Sequence, residues 1–495
     1  MNFKKVSIII FILAGLSFCF GLLYLETGQE WGDDFALYLS QAKALKDGNV
    51  SQLLEYNKWS MDNSEGMIGP YLYPVGLPIL EWVYLKFFPF SWVGLKVFQW
   101  LIFVLSGFCF LGFIKKYGDF SNGWLIFLMS FYWLHPKMIE FSDRLMSDTL
   151  YLSLVSVFFY ALFQLNSNSK KSKGLIYNSL ILMSLIAVSL TRVVGFVLVG
   201  TWLFKIIYDY KNGDKISHSI PFFLIGLLSI VYIKIMDARL ESNHVEALNQ
   251  VSLELLGKHF LHYLELIGIY TFWHLRVIPF LGYLVGLVFI FILVLGLRRE
   301  KLFWQLMPVL FFVLASVGIL IIWPFYQGVR FLMPIMPFVL VMVVQLINKL
   351  EFKKLFLGKY QDKLPIILAA FVIVQGLLTT VYGFRFLQTN RVWTMESRHV
   401  YQFVQNQVPD SAIISFDKPR WLHYATGKRT IRILTDSFRL QSRYNYQLDY
   451  KPGVYTEDLT NKAKNNYAYH YRDSAEFKIV RDWPNFVLYQ HNKVQ

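Results

Sequence analysis

Residues 6–48 read VSIIIFILAGLSFCFGLLYLETGQEWGDDFALYLSQAKALKDG, an apolar run followed by an acidic loop and a more polar, amphipathic stretch. A membrane-crossing helix needs about 20 mainly apolar residues, so 6–25 reads as a first span. The loop after it, 26–91, carries two adjacent carboxylates, Asp33 and Asp34, next to a membrane surface. From Ala36 to Gly48 the spacing predicts a short amphipathic helix, with Asp33 or Asp34 at its N-cap and Gly48 ending it. The acids are thereby fixed at a helix mouth.

Composition turns one span into a bundle. Over 495 residues, 55% hydrophobic and 18% aromatic content exceeds what one soluble core requires, which selects an all-α polytopic membrane protein. Further apolar stretches lie near 92–114, 119–135, 147–165, 175–191, 193–209, 217–236, 277–297, 302–323, 329–348 and 364–386. With 6–25 they give about eleven transmembrane helices at roughly 20 residues each. Residues 1–386 form this membrane domain.

The net charge of +15 does not call for nucleic acid, because the basic residues follow membrane topology. Lys4 and Lys5, Lys115 and Lys116, Lys170 with Lys171 and Lys173, Lys211 and Lys215, Arg298 with Arg299 and Lys301, and Lys353, Lys354, Lys359 and Lys363 fall on alternate loops. The positive-inside bias makes that side the cytoplasm. The N-terminus is then inside, and the 26–91, 136–146 and 237–276 loops and the tail after 386 are outside, at a bacterial cytoplasmic membrane. The first segment lacks a small-x-small cleavage site and has Phe18 where a lipoprotein signal wants a small residue, so it reads as a retained anchor. Cys19 and Cys109 fall inside spans, which leaves no disulfide framework or thiolate metal site.

From about residue 387 the hydrophobic runs shorten. Glu396–Val408 places Val400, Phe403, Val404 and Val408 on one helical face, 411–416 and 429–434 alternate like strands, and 477–489 reads as a hairpin around Trp483-Pro484-Asn485. A small α/β soluble domain over 387–495 is expected on the outer face. Its basic and aromatic residues, among them Arg420, Trp421, Arg439, Tyr444 and Tyr446, read first as solvated surface, with a sugar-binding face as the alternative.

Asp143 and Asp148 recur on the outer side, where Asp148 opens the 147–165 span. A charge near lipid costs at least about 2.5 kcal/mol, so such an acid caps its helix or faces a cavity. Arg144, four residues earlier, is a possible ion-pair partner. Lys86, Arg192 and Arg330 supply outer-side cations at span edges. Each could snorkel to the headgroups, but Arg192 and Arg330 sit in tight apolar turns, where a fork-shaped cation can take a phosphate bidentately. Tyr71-Leu72-Tyr73-Pro74-Val75-Gly76-Leu77-Pro78 adds an aromatic-rich loop.

Carboxylates and cations around an outward-facing cavity suit sugar transfer from a lipid phosphate. One carboxylate removes the acceptor hydroxyl proton, and the phosphodiester leaving group needs charge stabilisation rather than protonation. The first loop lacks an Asp-x-Asp triplet, so catalysis without a metal cofactor is expected, the alternative being a divalent cation held by Asp33 and Asp34 with Asp143 or Asp148. His135, His244, His259, His262 and His274 are scattered and form no ligand motif.

The motifs also resemble bacterial integral-membrane glycosyltransferases of the C-type (GT-C) fold, a group that includes protein O-mannosyltransferases and the aminoarabinose transferase of lipid A. Asp33 to Gly48 looks like their first-loop acidic pair and helix, with Asp-Asp here where Asp-Glu is also frequent. Tyr73-Pro74-Val75-Gly76-Leu77-Pro78 is similar to their Tyr-Pro-Pro-Gly-x-Pro segment, with Val75 at the second proline. Arg144 to Asp148 resembles their Arg-x-x-x-Asp element, Val329 to Pro334 their Arg-Tyr-Leu-x-Pro stretch, and Asp417 to Lys428 a segment common after their membrane domain. The resemblance implies a polyprenyl-phosphate sugar donor, an acceptor hydroxyl on a glycan, lipid or protein, and inversion at the anomeric carbon. It implies a catalytic role for Asp33 or Asp34 with Asp148 in support, and substrate-binding roles for Arg144, Tyr73, Arg192 and Arg330. Two other readings share the features: a transporter or lipid-linked-sugar flippase, and a surface-polysaccharide polymerase or ligase using lipid diphosphate donors.

Overall fold

The computed structural model describes residues 3–29, 33–65, 70–165, 171–213, 216, 218–238, 251–276, 278, 280–298, 300–349, 363–386, 395–433, 445–450, 477–484 and 486–491. Trp31, Gly32, His244, Arg439, Tyr444, the basic run 353–359 and the expected domain junction near 387 lie outside the described residues.

Among the described residues each of the apolar stretches is helical over most of its length. In chain order the helices are α1 (Phe3–Tyr24), α2 (Asp34–Asp47), α3 (Val50–Asp62), α4 (Gly76–Phe87), α5 (Trp92–Tyr117), α6 (Asn122–Leu134), α7 (Pro136–Glu140), α8 (Ser147–Gln164), α9 (Lys171–Thr191), α10 (Val197–Lys211), α11 (Ser219–Ala238), α12 (Leu253–Thr271), α13 (Leu281–Leu297), α14 (Glu300–Ile322), α15 (Met336–Lys349), α16 (Leu364–Phe386), α17 (Met395–Gln407) and α18 (Pro419–Thr426). Among the described residues 7 helices are long and apolar enough to cross a membrane: α1, α5, α9, α10 with its lead-in turn, α11, α14 and α16. Helices α13 and α15 are apolar but shorter. The chain is thus a multi-pass membrane protein. Helix α8 is different in kind, for Asp148, Thr149, Ser153 and Ser156 are all buried along it. Polar groups of that density belong inside a bundle rather than against lipid.

Two expected boundaries move for physical reasons. The stretch expected at 329–348 starts with a 3-10 turn, Val329–Leu332, and becomes α-helical at Met336. Pro334 and Pro337 lack the N–H that a helix interior needs and fit only a first turn, so Arg330 is left on irregular backbone. The 237–276 loop is partly helical, as α12 packs along α13 and α14. The first loop likewise contains α3 and α4 besides the expected α2.

Loops that charge assigned to one side meet at one end of the bundle. Gln305 of α14 donates its side-chain amide to the Tyr117 carbonyl at 3.0 Å, and Lys349 pairs with Asp119 at 3.8 Å. At the other end the C-termini of α1 and α9, the N-termini of α5 and α8, and the tail come together.

The tail forms a five-stranded sheet in the order β2-β1-β3-β5-β4, from β1 (Ile413–Ser415), β2 (Arg429–Ile431), β3 (Tyr446–Tyr450), β4 (Phe477–Asp482) and β5 (Phe486–His491). Strand β1 runs parallel to β2 and β3, while β3–β5 and β4–β5 pair antiparallel. As the periodicity requires, Val400 and Val404 of α17 and Val408 just after it are buried. Their core is shared with the first loop. Phe35 of α2, Leu77 of α4, Trp92 of α5 and Met146 before α8 belong to one cluster with Val404, Trp421, Leu448 and Leu488. Phe35 lies 5.3 Å from Trp421 and 5.9 Å from Trp92, ring to ring, so burying aromatic surface fastens the tail to the membrane-proximal loop.

Candidate active site

Helix α2 begins at Asp34, with Asp33 just outside it, and Gly48 ends it in the left-handed region at φ 72°. Neither acid caps α2 by its side chain. Asp33 caps a different helix. Its carboxylate accepts the backbone N–H groups of Arg420 at 3.0 Å and Trp421 at 2.8 Å, in the first turn of α18. Pro419 opens α18 and Gly427, at φ 73°, closes it. The orphan amides and positive dipole end of a helix are a natural seat for a carboxylate, and here the carboxylate comes from another part of the chain.

Asp34 points the other way. Its Oδ1 accepts the Tyr73 hydroxyl at 2.6 Å and its Oδ2 accepts Arg330 Nη1 at 3.3 Å. Tyr73 is itself clamped: Gln41 of α2 donates to its carbonyl at 2.9 Å and accepts its N–H at 3.0 Å. Gly76, three residues on, lets α4 abut the end of α9, since a Cβ there would lie 2.8 Å from the Thr191 Cα.

Asp148 is fully buried at the head of α8 and is held by two guanidiniums. Arg192 donates through Nη1 to its Oδ1, and Arg330 donates through Nε to its Oδ2 at 3.1 Å. Arg330 therefore links Asp148 to Asp34. Isolated, a buried carboxylate or guanidinium is unaffordable in a low dielectric; joined as alternating charges they can be retained. Asp34 keeps 31% of its side chain exposed against 0% for Asp148. Only Asp34 of this pair can meet a substrate directly.

Burial pushes the Asp33 carboxyl up to about 6, against the opposing pull of Arg420 and the two N–H groups. Burial acts on Asp34 as well, but Arg330, Tyr73 and Arg420 together hold it below its ordinary value. The Tyr73 phenol is raised well above its own by burial and by the Asp34 charge, so it keeps its proton and donates.

Six of the residues singled out in the sequence thus converge: Asp33, Asp34, Tyr73, Asp148, Arg192 and Arg330. Arg144 does not stand on Asp148, where Arg192 and Arg330 take both oxygens; its guanidinium lies 5.1 Å from the Phe141 ring. Lys86 lies over Trp82 at 5.6 Å, away from the cluster. Asp143 is engaged elsewhere, accepting Lys96 Nζ at 2.6 Å and the Glu26 N–H at 2.7 Å. Lys96 also donates to the Glu26 carbonyl at 3.1 Å and to that of Gly28, tying the loop before Asp33 to α5. Sequence reading passed over Lys96, though a lysine in the first turns of an apolar span was the signal to notice. It also took Arg420 and Trp421 as solvated; both are buried. The proline at the start and the glycine just past the end marked a helix there, but not what would cover it.

Among the described residues no three acidic, histidine or cysteine side chains converge as a metal-ligand set, and the Arg330 guanidinium bridges Asp34 and Asp148.

No protein-family model and no curated protein matches the sequence. Solved structures do match in fold. ArnT from Cupriavidus metallidurans bound to undecaprenyl phosphate superposes with a TM-score of 0.54 at 9% identity, over 99% of this chain and 98% of that one. The oligosaccharyltransferase of Archaeoglobus fulgidus in the apo form gives 0.56 at 10% identity, over 91% of this chain and 70% of that one. Archaeal AglB, in complex with an inhibitory peptide and a dolichol-phosphate, gives 0.54 at 10% over the same shares. The chain has the C-type glycosyltransferase fold.

Two outcomes follow from the charges. Removing Arg192 leaves the buried Asp148 charge with Arg330 alone, at a cost bounded by the about 3–5 kcal/mol of a fully broken buried pair; Arg192→Ala should lower the thermal midpoint more than Arg192→Ala with Asp148→Asn, and equal midpoints would show that Asp148 does not depend on Arg192. Asp33 has its folded value at about 6, above its ordinary 3.8, so the folded state holds the proton longer than the unfolded one. Its contribution is full below the unfolded value and is lost as pH rises through the folded one. Asp33→Asn should therefore flatten the midpoint-against-pH curve in that window, where Asp34, shifted the opposite way, does not act.

Proposed function

We propose that the chain is an inverting glycosyltransferase that moves a sugar from a polyprenyl-phosphate donor to an acceptor hydroxyl on the extracytoplasmic side of a bacterial cytoplasmic membrane. The observation that carries this reading is the pairing at Asp34: an ionised, partly open carboxylate with one oxygen on Tyr73 and the other on a guanidinium that also serves a buried acid. Such a group is fixed in direction and kept anionic at neutral pH, as a general base requires.

Asp34 takes the proton of the acceptor hydroxyl as its oxygen attacks the anomeric carbon. The bond from that carbon to the phosphate oxygen breaks, and polyprenyl phosphate leaves with the bonding pair. A single displacement inverts the centre. Arg192 and Arg330 each spend only part of their five N–H donors on Asp148 and Asp34, and the rest face the charge that grows on the leaving phosphate. Asp148 orients both cations. Asp33 acts by holding the first loop against the tail, so of the adjacent acids Asp34 is the base.

A lipid donor also needs room for its chain. An apolar cavity of about 150 Å³ lies between α12, α13, α14 and α15, lined among others by Phe260, Tyr263, Phe289, Val313 and Met342. The Tyr263 hydroxyl accepts the Gln327 N–H at 3.1 Å, three residues before Arg330. An apolar groove anchored to the loop that carries a phosphate-binding cation supports a prenyl-phosphate donor. The fold neighbours that hold undecaprenyl phosphate and dolichol-phosphate favour the same class.

Mass spectrometry of surface glycans and glycoproteins, with and without the chain, should reveal one sugar missing in its absence. Asp34→Asn should lower that transfer at least about 100-fold, the worth of a positioned base, at unchanged protein abundance, whereas Asp33→Asn should act mainly on stability. Retained transfer in Asp34→Asn would remove the first loop from the mechanism. Dialysis against EDTA should leave transfer intact; complete loss restored by a divalent cation would replace the guanidinium bridge with a metal.

A further inference from the structure

We infer that Arg420, carried by the tail helix α18, is a third oxyanion-binding cation of the site and closes on the phosphate of the lipid carrier. The inference rests on the proposed polyprenyl-phosphate donor and assigns to the tail a direct part in binding it.

Arg420 is buried to 7% exposure, yet its guanidinium is poorly used. Nη1 reaches the Tyr73 hydroxyl at 3.4 Å and Nη2 the Met61 sulfur at 3.5 Å, both long contacts to neutral atoms. Nε has no hydrogen-bond partner. A buried donor without an acceptor is costly, more so when charged, and the group that would satisfy this fork best is an oxyanion. The hydrogen bonds that dock the tail do not use the side chain, because Asp33 accepts the backbone N–H groups of Arg420 and Trp421. Those docking hydrogen bonds would form with any residue but proline at 420, and the guanidinium adds only a Coulombic attraction to Asp33 and Asp34.

Its position supplies the reason. Arg420 meets the phenol that donates to Asp34, while Arg330 approaches the other Asp34 oxygen. One guanidinium thus meets the proposed base directly and the other through the Tyr73 hydroxyl. Charge points the same way: three carboxylates, Asp33, Asp34 and Asp148, face three guanidiniums, Arg192, Arg330 and Arg420. Without Arg420 the site would carry net negative charge before an anionic phosphate entered it, and Coulomb repulsion at this range is large among charges that are mostly buried. A neutral acceptor sugar would place no such demand.

The test uses the full chain in lipid nanodiscs, with undecaprenyl phosphate as probe and undecaprenol, which lacks the phosphate, as control. Wild type should prefer the phosphate lipid. Arg420→Met should weaken undecaprenyl phosphate binding about tenfold or more, the range expected when a charge-assisted hydrogen bond is lost, and leave undecaprenol binding unchanged. Arg420→Lys should recover part of the loss, since charge is kept and the fork is not. Should Arg420→Met fail to fold, Arg420→Gln carries the same expectation. Unchanged phosphate-lipid affinity in a folded Met or Gln variant, with Arg330→Ala weakened, would overturn the role of Arg420 while the carrier reading stands. Equal binding of both lipids by wild type would overturn the carrier reading and this inference with it.

Discussion

A carboxylate with no solvent exposure at the head of a helix in a membrane bundle is the constraint on which this end of the molecule depends. Asp148 can stay there only with its charge answered, and Arg192 and Arg330 answer it from two other segments. The requirement fixes where the ends of α9 and α14 lie relative to α8. Because one guanidinium is shared onward to Asp34, the same requirement fixes the first loop. What begins as a way of tolerating buried charge ends by holding the Asp34 carboxylate in a fixed direction.

The second link is between the membrane domain and the tail. Asp33 sits at the start of α18 as a cap borrowed from far along the chain, and the Phe35–Trp92–Trp421 cluster buries the surface around it. The polar contact gives direction and the aromatic contact gives area. Adjacent acids thus do different work, since consecutive residues at a helix start point about 100° apart: one reaches the tail and the other the cations. The Lys96–Asp143 pair supports both by pinning the backbone at Glu26 and Gly28, and Gln41 does the same for Tyr73.

Much of this was legible in the chain. Apolar runs of span length became helices because a backbone in lipid must satisfy its own hydrogen bonds, and Gly48 ended α2 because a left-handed residue ends a helix most cheaply in glycine. The helix 395–407 and the 477–491 hairpin followed their periodicities. Asp33, Asp34, Asp148, Arg192 and Arg330 stood out as charges at the ends of apolar segments, where charge is costly and so requires a reason. Less legible was the pairing. Arg144 was the sequence neighbour of Asp148 at helical spacing, but residues 141–143 form a short 3-10 turn and 144–146 leave the helix before α8 begins, so the spacing had no helix to act on.

Sequence alone therefore determined the class of solvent, the helices, and which side chains were too expensive to be incidental, because these are properties of single segments measured against lipid or water. Only the tertiary structure decided which acid faces which cation. That choice depends on pairs hundreds of residues apart, Asp34 with Arg330 and Asp33 with the backbone of Arg420, and no local period encodes a distance between segments. Arg420 shows the difference most plainly: in the chain it was one basic residue among many in a polar tail, and packing alone buried it beside Tyr73 with a donor left open.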